Sequence, residues 1–298
     1  MNEAAAPARQ AHDVLAPALF ALVTSVRQAA ERVAAPVHPA PPDPEAIHDF
    51  RVALRRLRTW LRPARKVFGK RRLKEIGGEL RRFAQATGAL RDEEVLRETL
   101  AALELPPKPR AELAAWLVQR ARQERVRRRG VVSLLRATEA TAGAPSLGQA
   151  LAHLERRLGR SRHEDLGVEE LAATTLSGAF VAVQELVGAE PRDATAMHEL
   201  RIRFKRLRYT ADLFTPILGE RGEVVARSAA RMQKRLGELH DLDEALARIA
   251  RARGLSEVTV RSVRRALARA RAARCERVHK ERAEELERLQ RLEGELVR

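Results

Sequence analysis

A histidine heading a run of arginines at helical spacing occurs twice in this chain, 150 residues apart. The first copy reads Ile47-His48-Asp49-Phe50-Arg51-Val52-Ala53-Leu54-Arg55-Arg56-Leu57-Arg58. The second reads Met197-His198-Glu199-Leu200-Arg201-Ile202-Arg203-Phe204-Lys205-Arg206-Leu207-Arg208. Guanidinium groups are permanently charged forks of donors whose geometry matches phosphate oxygens. Imidazole titrates close to neutral pH and can join them as a cation. Such rows can hold a polyanion by its oxygens.

The spacing says where the rows point. His48, Arg51, Arg55, Arg58 and Arg62 follow steps of three and four and share one helix face. Phe50, Leu54, Leu57, Leu61, Ala64 and Phe68 follow the same steps one residue out of phase. One residue is about 100° of rotation, so the basic row lies beside the apolar row. A merely solvated face would lie opposite it. In the second copy His198, Arg201, Lys205 and Arg208 flank Leu200, Phe204, Leu207, Ala211 and Phe214, and Asp212 replaces the last arginine. Arg56 and Arg206 sit a step further around. Arg81, Arg82, Arg231 and Lys234 on the helices that follow are candidate second walls. A row repeating each heptad presents donors about every 10.5 Å, so one helix can meet several phosphates.

A second repeated element follows each row: Gly88-Ala89-Leu90-Arg91-Asp92 is answered by Gly237-Glu238-Leu239-His240-Asp241. Glycine here permits close approach, and Asp92 and Asp241 read as structural partners of nearby arginines. Arg91 and His240 join the candidate binding residues, with support of the fold as the alternative. His48 and His198 have no His or Cys beside them at ligand spacing, which argues against a metal site.

Positioning these rows requires helices, and the composition supplies them. Hydrophobic residues make up 45% but aromatics only 3%, with Ala, Leu and Arg dominant, a mixture that loses little on entering helices. An all-α fold is expected. Prolines and glycines divide it into helices near 14–33, 44–68, 71–103 and 110–138, then 147–187 with a break near Gly167, 195–218, 221–253 and 255–296. Gly69 and Gly219 close the two row-bearing helices. The expected organisation is a flexible N-terminus at 1–12 and two four-helix halves, 13–144 and 145–298, from an internal duplication.

The net charge of +17 points to a polyanionic partner. It is spread, with 27 basic against 16 acidic residues up to Pro145 and 30 against 24 after it, so a folded surface is expected and not a basic tail. Cys275 is the lone cysteine, which excludes an intrachain disulfide. No apolar run reaches the roughly 20 residues of a membrane span. A soluble, cytoplasmic protein is expected.

Together the two motifs resemble the conserved histidine α-helical domain, or CHAD, family: a His with Arg three residues on, an Arg-Arg-Leu-Arg-like run, and a Leu-Gly-x-x-x-Asp element, each present twice. The likeness runs from about residue 15 to 292. Thr87-Gly88 stands where the second copy has Leu236-Gly237, and Asp212 shortens the second row. The resemblance implies two four-helix bundles about a pseudo-twofold axis with a basic groove where they meet. It also implies inorganic polyphosphate as ligand, binding without catalysis, no cofactor, and association with polyphosphate granules. The Glu-x-Glu-x-Lys strand of the triphosphate tunnel domain that often accompanies the family is approached only by Glu293-Gly294-Glu295, without the lysine, and a stand-alone domain is expected. Two other functions compete. A nucleic-acid-binding protein fits the charge but has few stacking aromatics. A phosphohydrolase or kinase would want a P-loop or an acidic metal cluster, and neither pattern occurs.

Overall fold

The computed structural model describes residues 9–35, 43, 45–140, 143–160 and 166–296. The side chains of 292–296, with the Glu293-Gly294-Glu295 stretch, residues 1–8 of the N-terminus and most of the 36–44 proline link lie outside the description. Nine α-helices and no strand occur among the described residues: α1 Ala11–Ala34, α2 Ala46–Phe68, α3 Lys70–Ala101, α4 Pro107–Arg136, α5 Leu147–Leu158, α6 Val168–Val187, α7 Ala194–Leu218, α8 Glu220–Ala250 and α9 Glu257–Leu296. The fold is all-α, as composition dictated. The ninth helix arises because 147–187 divides into α5 and α6. Gly167 there forms an isolated antiparallel bridge with Gln10, and the backbones of Arg9 and Ala11 are hydrogen-bonded to Val168 and Leu166.

Each helix buries the residues its pattern marked. Phe50, Leu54, Leu57, Leu61 and Phe68 of α2 are all but fully buried, as are Leu200, Phe204, Leu207 and Phe214 of α7. Both helices then stop at a glycine, Gly69 at φ 95° and Gly219 at φ 57°. Residues with a Cβ rarely take such a backbone, which is why glycine stands at both helix ends.

The chain forms two compact units, and neither follows a single cut. Unit one takes 1–88, 130–177 and 212–222; unit two takes 89–129, 178–211 and 223–298. In unit one, α1 packs on α2 and α5, and Arg27 grips Glu155 with two hydrogen bonds of 2.8 and 2.6 Å. Helix α5 starts with a capping box in which Ser146 accepts from the Gln149 backbone and Gln149 answers from its side chain. Arg82 donates to the Pro145 carbonyl just before it.

In unit two, Leu96 and Leu100 of α3, Leu113 and Trp116 of α4, Leu242 and Ile249 of α8, and Val263 and Leu267 of α9 share one core. Beside it lies Glu93, 1% exposed. Burial pushes the Glu93 carboxyl up, but the Arg120 hydrogen bonds and the charges of Arg120, Arg248 and Arg127 hold it below its ordinary value. Part of the basic excess thus neutralises a buried acid and is unavailable to a ligand.

Candidate functional site

In unit one the row on α2 meets a face of α3 made of Gly77, Arg81, Ala84 and Gly88, which share a side at helical spacing. Arg51 donates to the Ala84 carbonyl at 3.3 Å. A Cβ on Gly88 would lie 3.3 Å from the same guanidinium, and one on Gly77 3.9 Å from that of Arg65. Gly88 therefore makes room for the Arg51 side chain of α2, whereas the space beside Gly77 would take a Cβ at ordinary contact distance.

Between these two contacts like charges gather. Arg58 is half-buried, and burial, then the charges of Arg81, Arg62 and Arg55, push its pKa down. Its Nε is buried without a hydrogen-bond partner. No ion pair joins Arg55, Arg58, Arg62 or Arg81 to a carboxylate among the described residues. Arg65 was not among the residues the sequence singled out. It continues the row three residues beyond Arg62, is half-buried, and also leaves Nε without a partner. Its spacing was the available signal. His48, Arg56 and Arg62 are exposed. Arg82 is engaged by Pro145 and stacks 4.7 Å over Phe83.

Unit two holds the second row. Here His198 and His240 meet, Nδ1 to Nδ1 at 3.1 Å with ring centroids 4.4 Å apart. One Nδ1 must carry the proton and the other accept, so the pair cannot keep this bond with both rings charged. Burial, then Arg201, His198 and Lys205, push the His240 pKa down to about 4. Arg201 lies against Gly237, where a Cβ would sit 3.7 Å from its Nε. Arg51 and Gly88 make the equivalent contact at the matching positions of the first copy. Burial raises the neighbouring Asp241 carboxyl above its ordinary value against the pull of Arg201 and Arg91.

The remaining candidates differ in freedom. Lys205, Arg206 and Arg208 are half-buried, with the Arg208 guanidinium 5.5 Å from the Tyr209 ring centroid. Lys234 is exposed. Arg231 is paired with Glu285 at 2.6 Å, and Arg91 with Glu94 and Glu98 at 3.2 and 3.6 Å. These two already have anionic partners inside the protein. Among the described residues no group of three His, Cys, Asp or Glu is arranged to hold a metal ion, and no helix is long and apolar enough to cross a membrane.

The model of the CHAD domain family matches residues 18–250. The chain belongs to the CHAD family. Among solved structures, the CHAD domain from the plant Ricinus communis superposes with a TM-score of 0.74 at 19% identity, covering 96% of this chain and 95% of that one. PptA from Streptomyces chartreusis superposes with a TM-score of 0.67 at 15% identity, covering 94% of this chain and 100% of that one. At these identities the likeness shows a shared fold. No curated protein matches the chain. Within this CHAD fold, the residues at which the motifs were recognised, from His48 to Asp92 and from His198 to Asp241, lie inside the matched span.

Proposed function

We propose that this CHAD protein binds inorganic polyphosphate and does not transform it. The observation that carries the reading is the α2 row in unit one. Arg55, Arg58, Arg62 and Arg81 are crowded, and Arg58 is half-buried with Nε unpartnered while the charges of the other three push its pKa down. Crowded like charges repel, by about 1 kcal/mol for each close pair even in solvent-like surroundings. An anion that enters replaces repulsion with charge-assisted hydrogen bonds. Polyphosphate suits a row of this kind because it is thin, flexible and charged at every unit, with no base edges to be read. Binding without reaction is supported by the donors of this row: guanidinium groups hold phosphate oxygens but do not release protons at neutral pH. A protein of this kind would be found where polyphosphate accumulates, on granules in the cytoplasm.

The test is a titration of the full chain with long polyphosphate and with duplex DNA at matched salt, followed by competition. Polyphosphate is expected to bind more tightly and displace DNA, with affinity falling steeply as salt rises because bound counterions are released. Tighter binding of duplex DNA overturns the reading in favour of a nucleic-acid-binding protein. Release of orthophosphate from the bound chain overturns its non-catalytic part.

A further inference from the structure

The first turns of α3 and the end of α5 flank an open cavity of about 490 Å³ within unit one, with Arg72, Arg156 and Arg160 at its exposed rim. Ile76 is the one apolar residue in its wall. It lies away from the α2 row: Arg72, Ile76 and Glu79 fall on the side of α3 roughly opposite Arg81, Ala84 and Gly88, at about 100° per residue. Four arginines line it, Arg72, Arg156, Arg157 and Arg160. Arg157 is committed to the fold, donating through Nε to the Phe68 carbonyl at the end of α2. Arg72 reaches Glu75 at 3.0 Å. Arg156 and Arg160 make no ion pair with a described carboxylate. Opposite them, Glu79 faces His153 at 3.3 Å and offers acceptors.

We propose that this cavity is a second binding site, for a small phosphorylated polyol such as a sugar phosphate. The arginines supply forked donors for a phosphate ester, and Glu75, Glu79 and His153 supply acceptors for hydroxyl groups. The volume lies within the usual range of small-ligand pockets. His153 carries the one aromatic ring among the lining residues and is engaged with Glu79 at 3.3 Å, so a stacked base gains little there, whereas hydroxyl groups along a short carbon chain find partners. Long polyphosphate has no hydroxyl groups along its chain to donate to Glu75 and Glu79, so its charged oxygens meet those carboxylates unpaired.

The experiment is calorimetric titration of the full chain with glucose 6-phosphate, glucose and inorganic phosphate. Glucose 6-phosphate is expected to bind at least tenfold more tightly than either of the others. Arg156→Glu is expected to weaken it at least tenfold while leaving polyphosphate affinity within twofold. Arg55→Glu, in the α2 row, is expected to leave glucose 6-phosphate binding within twofold. Arg160→Glu serves as the second variant should thermal melting show Arg156→Glu to be unfolded. No detectable binding of glucose 6-phosphate, equal affinity for inorganic phosphate, or loss through Arg55→Glu and not through the cavity variants overturns the proposal. None of these outcomes bears on polyphosphate binding itself.

Discussion

At the scale of single residues, binding and stability pull in opposite directions at Arg58. Its guanidinium is half-buried among Arg55, Arg62 and Arg81, and its Nε is unsatisfied. Arg58→Met keeps much of the packing stem and removes the charge. It is expected to raise the thermal midpoint, by an amount on the order of 1 kcal/mol of stability, and to weaken polyphosphate binding several-fold. Thermal melts paired with titrations check both signs, and a lowered midpoint would show that the arginine stabilises the free protein. The histidine pair gives a second prediction. The folded His240 value of about 4 lies below the ordinary 6.5, so between those values the unfolded chain binds more protons and stability falls with acidification. The loss amounts to at most about 3 kcal/mol for a shift of this size. A bound polyanion favours the charged ring, so binding takes up a proton and tightens as pH drops through the same window. His240→Gln should flatten both profiles; an unchanged binding slope in the variant assigns that dependence to other groups, such as Asp241 or the ligand's own terminal phosphates. An unchanged stability slope points away from Asp241, whose raised carboxyl makes stability rise on acidification.

At the scale of helices, glycines with similar sequence roles separate by what surrounds them. Gly69 and Gly219 both end a row-bearing helix at positive φ. At Gly69, however, a Cβ would also lie 2.6 Å from the Arg157 guanidinium, whereas nothing lies within 4 Å of one at Gly219. Gly219→Ala is expected to cost about 1 kcal/mol for the left-handed backbone alone. Gly69→Ala should cost more, because it also disturbs the Arg157 bond that caps α2. Inside α8, Gly237→Ala places its Cβ at an ordinary 3.7 Å from Arg201 and should stabilise by up to about 1 kcal/mol through helix propensity. Denaturant unfolding of the three variants ranks them. A Gly69→Ala protein as stable as Gly219→Ala would remove Arg157 from the account of how α2 ends.

At the scale of the whole molecule, the two compact units interleave along the chain. Unit one needs segments from before residue 89, from 130–177 and from 212–222. A cut at residue 144 therefore divides both units, although it falls between the two motif copies. Fragments 1–144 and 145–298 expressed separately are expected to lack cooperative unfolding, and to regain it when expressed together. Circular dichroism melts decide this. A cooperatively folded single fragment would show that a motif copy builds its own core.

Much of this was legible in the sequence because helices are written locally. The buried faces of α2 and α7, the glycines that end them and the side-by-side basic rows all follow from steps of three and four, and the all-α fold from the scarcity of aromatics. Even Arg65 continues a spacing already visible from His48 to Arg62. Which arginine is available to a ligand was not legible. Arg231 occupies a position as favourable by spacing as Arg81, yet Glu285 meets it from a helix more than 50 residues away, whereas the partners of Arg91, Glu94 and Glu98, lie on its own helix at a spacing the sequence already shows. The contact of His198 with His240, 42 residues apart, and the cavity between α3 and α5 likewise depend on which helices pack together. Periodicity fixes the face on which a side chain lies, because that needs only the helical repeat. Whether that side chain stays charged, exposed and without a partner depends on desolvation and on distant carboxylates, and only the tertiary structure brings those to bear.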